Sequence, residues 1–197
     1  MKRETHLRVW HLAGPIIISN ISVPMLGAVD TAVMGHLPDA KYLGGVAIGA
    51  MVFTFIYWGF GFLRMGTGGL TAQAFGANDA DEVRACLARA AVVGVPVAFI
   101  LIALQAPIAS LAFAIVNASG EVETLAREYF FVRIWGAPAT LMNFALLGWF
   151  VGVQSTKSAL IHQLTLNGVN IVLDVVFVIG FGWGVAGVAA ATALADA

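Results

Sequence analysis

An all-α integral membrane fold is predicted by three observations. Hydrophobic residues make up 60% of the 197-residue chain and charged residues only 11%, against about 25% charged in ordinary soluble domains. The mean hydropathy is +0.90. The apolar residues also fall into runs of about the 20 residues that a helix needs to cross the hydrocarbon core. A soluble domain of this length could not hide so much apolar surface in one core.

Five such segments, and the start of a sixth, follow one another along the chain. They cover residues 12–35, 44–72, 87–113, 123–152, 159–181 and 185–197. Turn chemistry supports the cuts. His36-Leu37-Pro38-Asp39, Gly76-Ala77-Asn78-Asp79 and Asn117-Ala118-Ser119-Gly120 separate segments, and Gly180, Gly182 and Gly184 interrupt the chain before the last. These residue types favour turns or positive φ. About 13 residues follow Gly184, roughly 20 Å of helix. The sixth segment therefore reads as cut short inside a longer protein.

Lys2, Arg3 and Arg8 precede the first apolar run, as in a signal peptide. The run continues past Pro24 without an A-x-A cleavage site, so it reads as a retained helix. Basic residues then set the orientation. With a cytoplasmic N-terminus, Lys2, Arg3, Arg8, Arg84, Arg89 and Lys157 lie inside, and only Lys41 and Arg127 lie outside. The formal net charge of -1 gives no sign of a nucleic-acid partner. The single cysteine, Cys86, excludes an internal disulfide.

Ionisable residues inside membrane segments are costly and mark functional positions. Asp30 lies in the outer half of the first segment, above Pro24, which removes a helix hydrogen bond. The bland alternative places Asp30 at the wet end of the helix. Asp174 stands among Ile171, Val172, Leu173, Val175 and Val176. Gln163, Asn167, Asn170 and Asp174 fall on one helical face, which must meet protein or water rather than lipid. Such a stripe can serve as hydrogen-bonding glue between helices. A carboxylate fits that role less well than an amide.

Arg64 is expected to snorkel to the inner interface. Arg133 is expected to snorkel outward, or to pair with Glu128 or an acid elsewhere. Asp196 is placed near the inner surface or on an unfinished helix, with little part in function. Gly45 and Gly49 have GxxxG spacing, which permits close helix packing. The tryptophans sit mostly near segment ends, as interfacial belts do. His6, His11, His36 and His162 lack metal-ligand spacing. There is no G-x-S-x-G, H-E-x-x-H or phosphate-binding loop, so hydrolase chemistry has no candidate residues.

The stretches Val29-Asp30-Thr31-Ala32-Val33-Met34-Gly35-His36-Leu37, Tyr42-Leu43-Gly44-Gly45-Val46-Ala47 and Phe62 through Gly76 carry a resemblance. So do Leu147-Gly148-Trp149, Gly152-Val153-Gln154 and Asn170-Ile171-Val172-Leu173-Asp174-Val175. The chain resembles the MATE (multidrug and toxic compound extrusion) family, in its DinF (DNA-damage-inducible protein F) branch, over its whole length. The resemblance implies the N-terminal six-helix lobe, over residues 1–197, of a twelve-helix transporter whose C-terminal lobe is missing here. It implies a bacterial inner-membrane, cation-coupled exporter of amphipathic or cationic small-molecule drugs, with no cofactor. The coupling ion is expected to be a proton, or sodium as in some relatives. Asp30, Asn170 and Asp174 match coupling residues and Thr192 matches a polar cavity residue, with Gln163 and Asn167 on the same cavity face. A lipid or lipid-precursor flippase of similar fold is the nearest alternative, and an arginine-rich cavity would favour it; the candidate cavity residues are acidic and neutral. A non-transporting membrane subunit is a third reading.

Overall fold

A computed structural model describes residues 10, 13, 14, 17, 18, 21, 29, 31–35, 37, 39–116 and 118–197. Most of the first segment, including Pro24 and Asp30, lies outside the described residues. The rest is helical. The helices are α1 (Ala40–Trp58), α2 (Gly61–Gly76), α3 (Ala80–Ala103), α4 (Gln105–Ile115), α5 (Gly120–Arg133), α6 (Ala137–Gly152), α7 (Thr156–Asp174) and α8 (Gly184–Ala195). A 3₁₀ turn, Ile134–Gly136, joins α5 to α6, and a π-helical turn, Val175–Gly180, extends α7. Ala40–Trp58, Ala80–Ala103, Gly120–Gly152 and Thr156–Gly180 are each long and apolar enough to cross a membrane.

Among the described residues, the segments after the first are present but less continuous than their hydropathy suggests. The second, expected as one helix, breaks at Gly59 and Phe60. There the Phe60 and Leu63 amides bond three residues back, to Tyr57 and Phe60. Two glycines flanking Phe60 weaken helix propagation. The third begins at Ala80 rather than residue 87 and breaks at Leu104. Pro107 lacks the N–H that would continue the ladder, but fits the first turn of a new helix. The fourth tightens at Ile134–Gly136, where Pro138 follows in the first turn of α6. A hydropathy profile passes over all three breaks because the residues remain apolar.

Three of the expected turn residues adopt positive φ. Asn78 has φ 56°, Gly182 φ 70° and Gly184 φ 55°. Asp39 caps α1 by accepting the Lys41 N–H at 3.0 Å. That bond holds its carboxyl below the usual carboxylate range.

The lobe is organised around two helix pairs, α1 with α5 and α2 with α6. Both pairs run parallel, since Gly45 meets Leu125 and Gly49 meets Tyr129, while Gly68 meets Gly148. A Cβ on Gly45 would lie 2.6 Å from Leu125 Cβ, and one on Gly49 2.5 Å from Tyr129 Cδ1. The GxxxG spacing therefore works as a contact surface. Farther along, Gly148 packs against the Arg64 backbone. Phe53, Phe130, Ile134 and Leu141 fill the core between the pairs. Phe55, Phe99, Val172 and Ile179 point outward, as suits helices that meet lipid or another lobe.

Candidate functional site

Two buried polar clusters meet at α8. The first is built from the stripe on α7. Its helical period brings Asn167, Asn170 and Asp174 to the inside and leaves the apolar Val172 exposed. Gln163, half-buried, donates from Nε2 to Asn167 Oδ1 at 3.0 Å. Asp174 is fully buried. The hydrogen-bond network fixes the Asn170 amide orientation. Its nitrogen donates to Asp174 Oδ2 at 3.0 Å, and its oxygen faces the Thr192 N–H at 3.1 Å and the Thr192 hydroxyl at 3.2 Å. Asp174, Asn170 and Thr192 thus form one chain of contacts from α7 to α8.

The backbone next to Asp174 is also unusual. The π-helical turn starts at Val175, immediately after the acid. Single π turns inside α-helices are rare and occur frequently at functional sites. Gly187 makes room for this turn, since a Cβ there would lie 3.2 Å from Val178 Cγ2 and 3.3 Å from the Phe177 backbone. Nothing in the residue pattern announced the π turn. Asp30 lies outside the described residues, so its distance from Asp174 is not part of this geometry.

The second cluster gives Arg133 the distant acid that was its alternative to snorkelling, and corrects the expectation for Asp196. Arg133 does not snorkel; it is buried and its Nη2 donates to Asp196 Oδ2 at 2.7 Å. Asp196 is not peripheral. Its carboxylate also accepts from Thr140 Oγ1 at 2.6 Å, and its carbonyl accepts from Asn143 Nδ2 at 2.8 Å. The Arg133 guanidinium lies 5.6 Å from the Phe53 ring centre and 5.9 Å from that of Tyr57, within cation–π range. α5, α6 and α8 supply the polar groups and α1 the aromatic rings. The partners are separated by 63 residues, so no helical stripe connects them. The one legible signal was an arginine and an acid in segments too apolar to hold either alone.

Among the described residues no group of side chains is arranged to hold a metal ion. Apolar helices of spanning length that enclose buried polar clusters define a helical membrane lobe. The MatE family model matches residues 15–176, and the chain belongs to that family. It is 45% identical over 188 residues to DNA damage-inducible protein F of Escherichia coli, covering 95% of this chain and 41% of that relative. It is 26% identical to the multidrug export protein MepA of Staphylococcus aureus, covering 94% of this chain and 41% of MepA. The backbone matches a MOP superfamily transporter from Pyrococcus furiosus with a TM-score of 0.82 at 28% identity, over 96% of this chain and 42% of that one. A MATE crystallised with the ligand MaL6 matches with a TM-score of 0.81 at 27% identity, over 96% of this chain and 42% of that one. The chain therefore spans about two-fifths of the length of its relatives.

Proposed function

We propose that this chain is the cation-coupling lobe of an inner-membrane multidrug exporter that exchanges protons for amphipathic drugs. The observation that carries the reading is the buried chain Asp174–Asn170–Thr192 beside a π turn. Of these three side chains only the Asp174 carboxyl can take up and release a proton near neutral pH. Protonation removes the charge that Asn170 stabilises and so changes what the α7–α8 contact prefers. A two-state lobe can convert that preference into opening or closing, provided a second lobe moves against it. The resemblance adds Asp30 as a second carboxyl and sodium as the alternative ion.

The test uses the full-length protein that the gene encodes. Asp174→Asn and Asp30→Asn keep size and some hydrogen bonding but fix the charge at zero. Each should abolish drug-driven proton movement in proteoliposomes while insertion stays normal. Wild-type coupling in both variants would reduce the stripe to structural glue.

Orientation is part of the same proposal. Cysteines placed by Asp39→Cys and Gly120→Cys should label from outside, and those from Ala80→Cys and Ser155→Cys only from inside; the reverse pattern would invert the lobe.

One observation favours the lipid-exporter alternative. A cavity beside the second cluster, outside the cavity face expected from the sequence except at Thr192, is lined by Arg64 and Arg133.

A further inference from the structure

That cavity, of about 870 Å³, opens beside the breaks in the second and fourth segments. Tyr57, Trp58, Phe62 and Phe144 form aromatic walls around Arg64 and Arg133. Among the described lining residues two are cationic and none is acidic. Asp196 is not on the lining; it reaches Arg133 from behind, through one carboxylate oxygen.

The hydrogen-bonding capacity at the cavity wall is incompletely used. A guanidinium carries five N–H donors. Among the described residues Arg133 meets two acceptor atoms, Asp196 Oδ2 at 2.7 Å and, weakly, Thr140 Oγ1 at 3.4 Å. Yet Arg133 is only 7% exposed. The Tyr57 hydroxyl is buried on the same wall. It approaches Thr140 without reaching hydrogen-bond geometry to any described group. Buried donors are ordinarily satisfied, so two neighbouring groups with spare capacity point to an acceptor that enters from the cavity. The planar fork of arginine suits a carboxylate or a phosphate, and the aromatic walls suit an apolar body.

We propose that this cavity binds an amphipathic anion, a carboxylate or phosphate on an apolar body, anchored by Arg133 with the Tyr57 hydroxyl as a second donor. The ligand's head group takes the donors that Asp196 leaves unused, and its apolar part lies along Trp58, Phe62 and Phe144. Arg64, on the rim, adds attraction without a buried contact. Thr192, which faces Asn170 in the Asp174 cluster, also lines this cavity, so the two sites adjoin; binding here, measured without a gradient, does not rest on the coupling proposal.

The experiment is an equilibrium titration of the full-length protein in maltoside detergent, read by the part of the tryptophan fluorescence that Trp58→Phe removes. No gradient is applied, so binding and coupling can fail separately. Four probes share one chain length: dodecanoate, dodecyl phosphate, dodecyltrimethylammonium and dodecanol. At least one of the two anions should bind tenfold or more tightly than the cation, and the order of the two anions identifies the head group. The double variant Arg133→Gln/Asp196→Asn avoids leaving a lone buried charge. It should lower anion affinity at least tenfold and leave dodecanol unchanged. Asp196→Asn alone frees Arg133 and should raise anion affinity several-fold. Should the double variant fail to fold, the wild-type probe order and Asp196→Asn still decide. Equal or tighter binding of the cation, or anion affinity unmoved by both variants, overturns the proposal.

Discussion

Asp174 and Asp196 are both acids in the interior of the lobe, and both contact groups that converge on α8. Asp174 is fully buried at the end of α7 and accepts from the neutral amide of Asn170. Asp196, whose side chain is 18% exposed, accepts from the Arg133 guanidinium and the Thr140 hydroxyl. Asp196 meets an opposite charge, and an ion pair of this kind fastens α5 to the end of α8. Asp174 meets a neutral amide, and on the reading proposed above it is the acid that exchanges the ion.

The largest expected effect comes from breaking the fastened acid. Arg133→Met leaves the Asp196 carboxylate in the lobe interior with Thr140 as its side-chain partner. Losing one member of a buried pair costs about 3–5 kcal/mol. The thermal midpoint of the purified full-length protein should fall sharply, and Arg133→Met/Asp196→Leu should recover most of the loss. A single variant that melts with wild type would show that Arg133 fastens nothing, and the contrast between the two acids would lapse. Asp174→Asn should melt close to wild type, because asparagine keeps the size of the side chain and an oxygen that can accept from Asn170.

A smaller effect tests the scaffold under the fastened acid. Gly49 packs against Tyr129, which lines the same cavity as Arg133. Gly49→Val forces α1 away from α5, and overpacking of this kind costs about 1–3 kcal/mol. Gly66 has nothing within 4 Å of an added Cβ, so Gly66→Ala should be neutral or slightly stabilising through helix propensity. Thermal melts that rank the two the other way would mean that the α1–α5 contact does not set the height of Arg133.

These two acids also show how far the residue pattern reaches. Asp174 was legible because its helix repeats polar residues at one face, and a 3.6-residue period is a local property. The Arg133–Asp196 pair depends on how α5 and α8 meet in space, and local period carries no trace of that meeting. The segments were legible by length and hydropathy, and the loops by turn chemistry. The internal breaks were missed because glycine and proline interrupt helices without lowering hydropathy, as at Gly59, Pro107 and Pro138. The π turn after Asp174 was missed for a related reason. It is fitted to Gly187 on α8, so its cause lies outside its own segment. Thr192 came only from family resemblance, since one threonine on an apolar helix has no pattern of its own.

The smallest expected change in stability is at Thr192, which lies on α8 one helical turn before Asp196 and faces Asn170. Thr192→Val keeps the branched shape and removes the hydroxyl. The net loss of one hydrogen bond is about 1 kcal/mol, a small shift in thermal midpoint. The functional effect should be larger than that shift suggests. The hydroxyl donates to the Val188 carbonyl at 2.9 Å and lies 3.2 Å from the Asn170 oxygen, which the Thr192 N–H also holds at 3.1 Å, so its removal weakens the hold on the amide without releasing it. Drug-driven proton movement should fall several-fold in Thr192→Val and return toward wild type in Thr192→Ser, which restores the hydroxyl. The melt and the flux then report different things: packing at α8, and the aim of Asn170. A Thr192→Val protein with wild-type flux would mean that the Thr192 N–H alone is enough to hold the Asn170 amide toward Asp174.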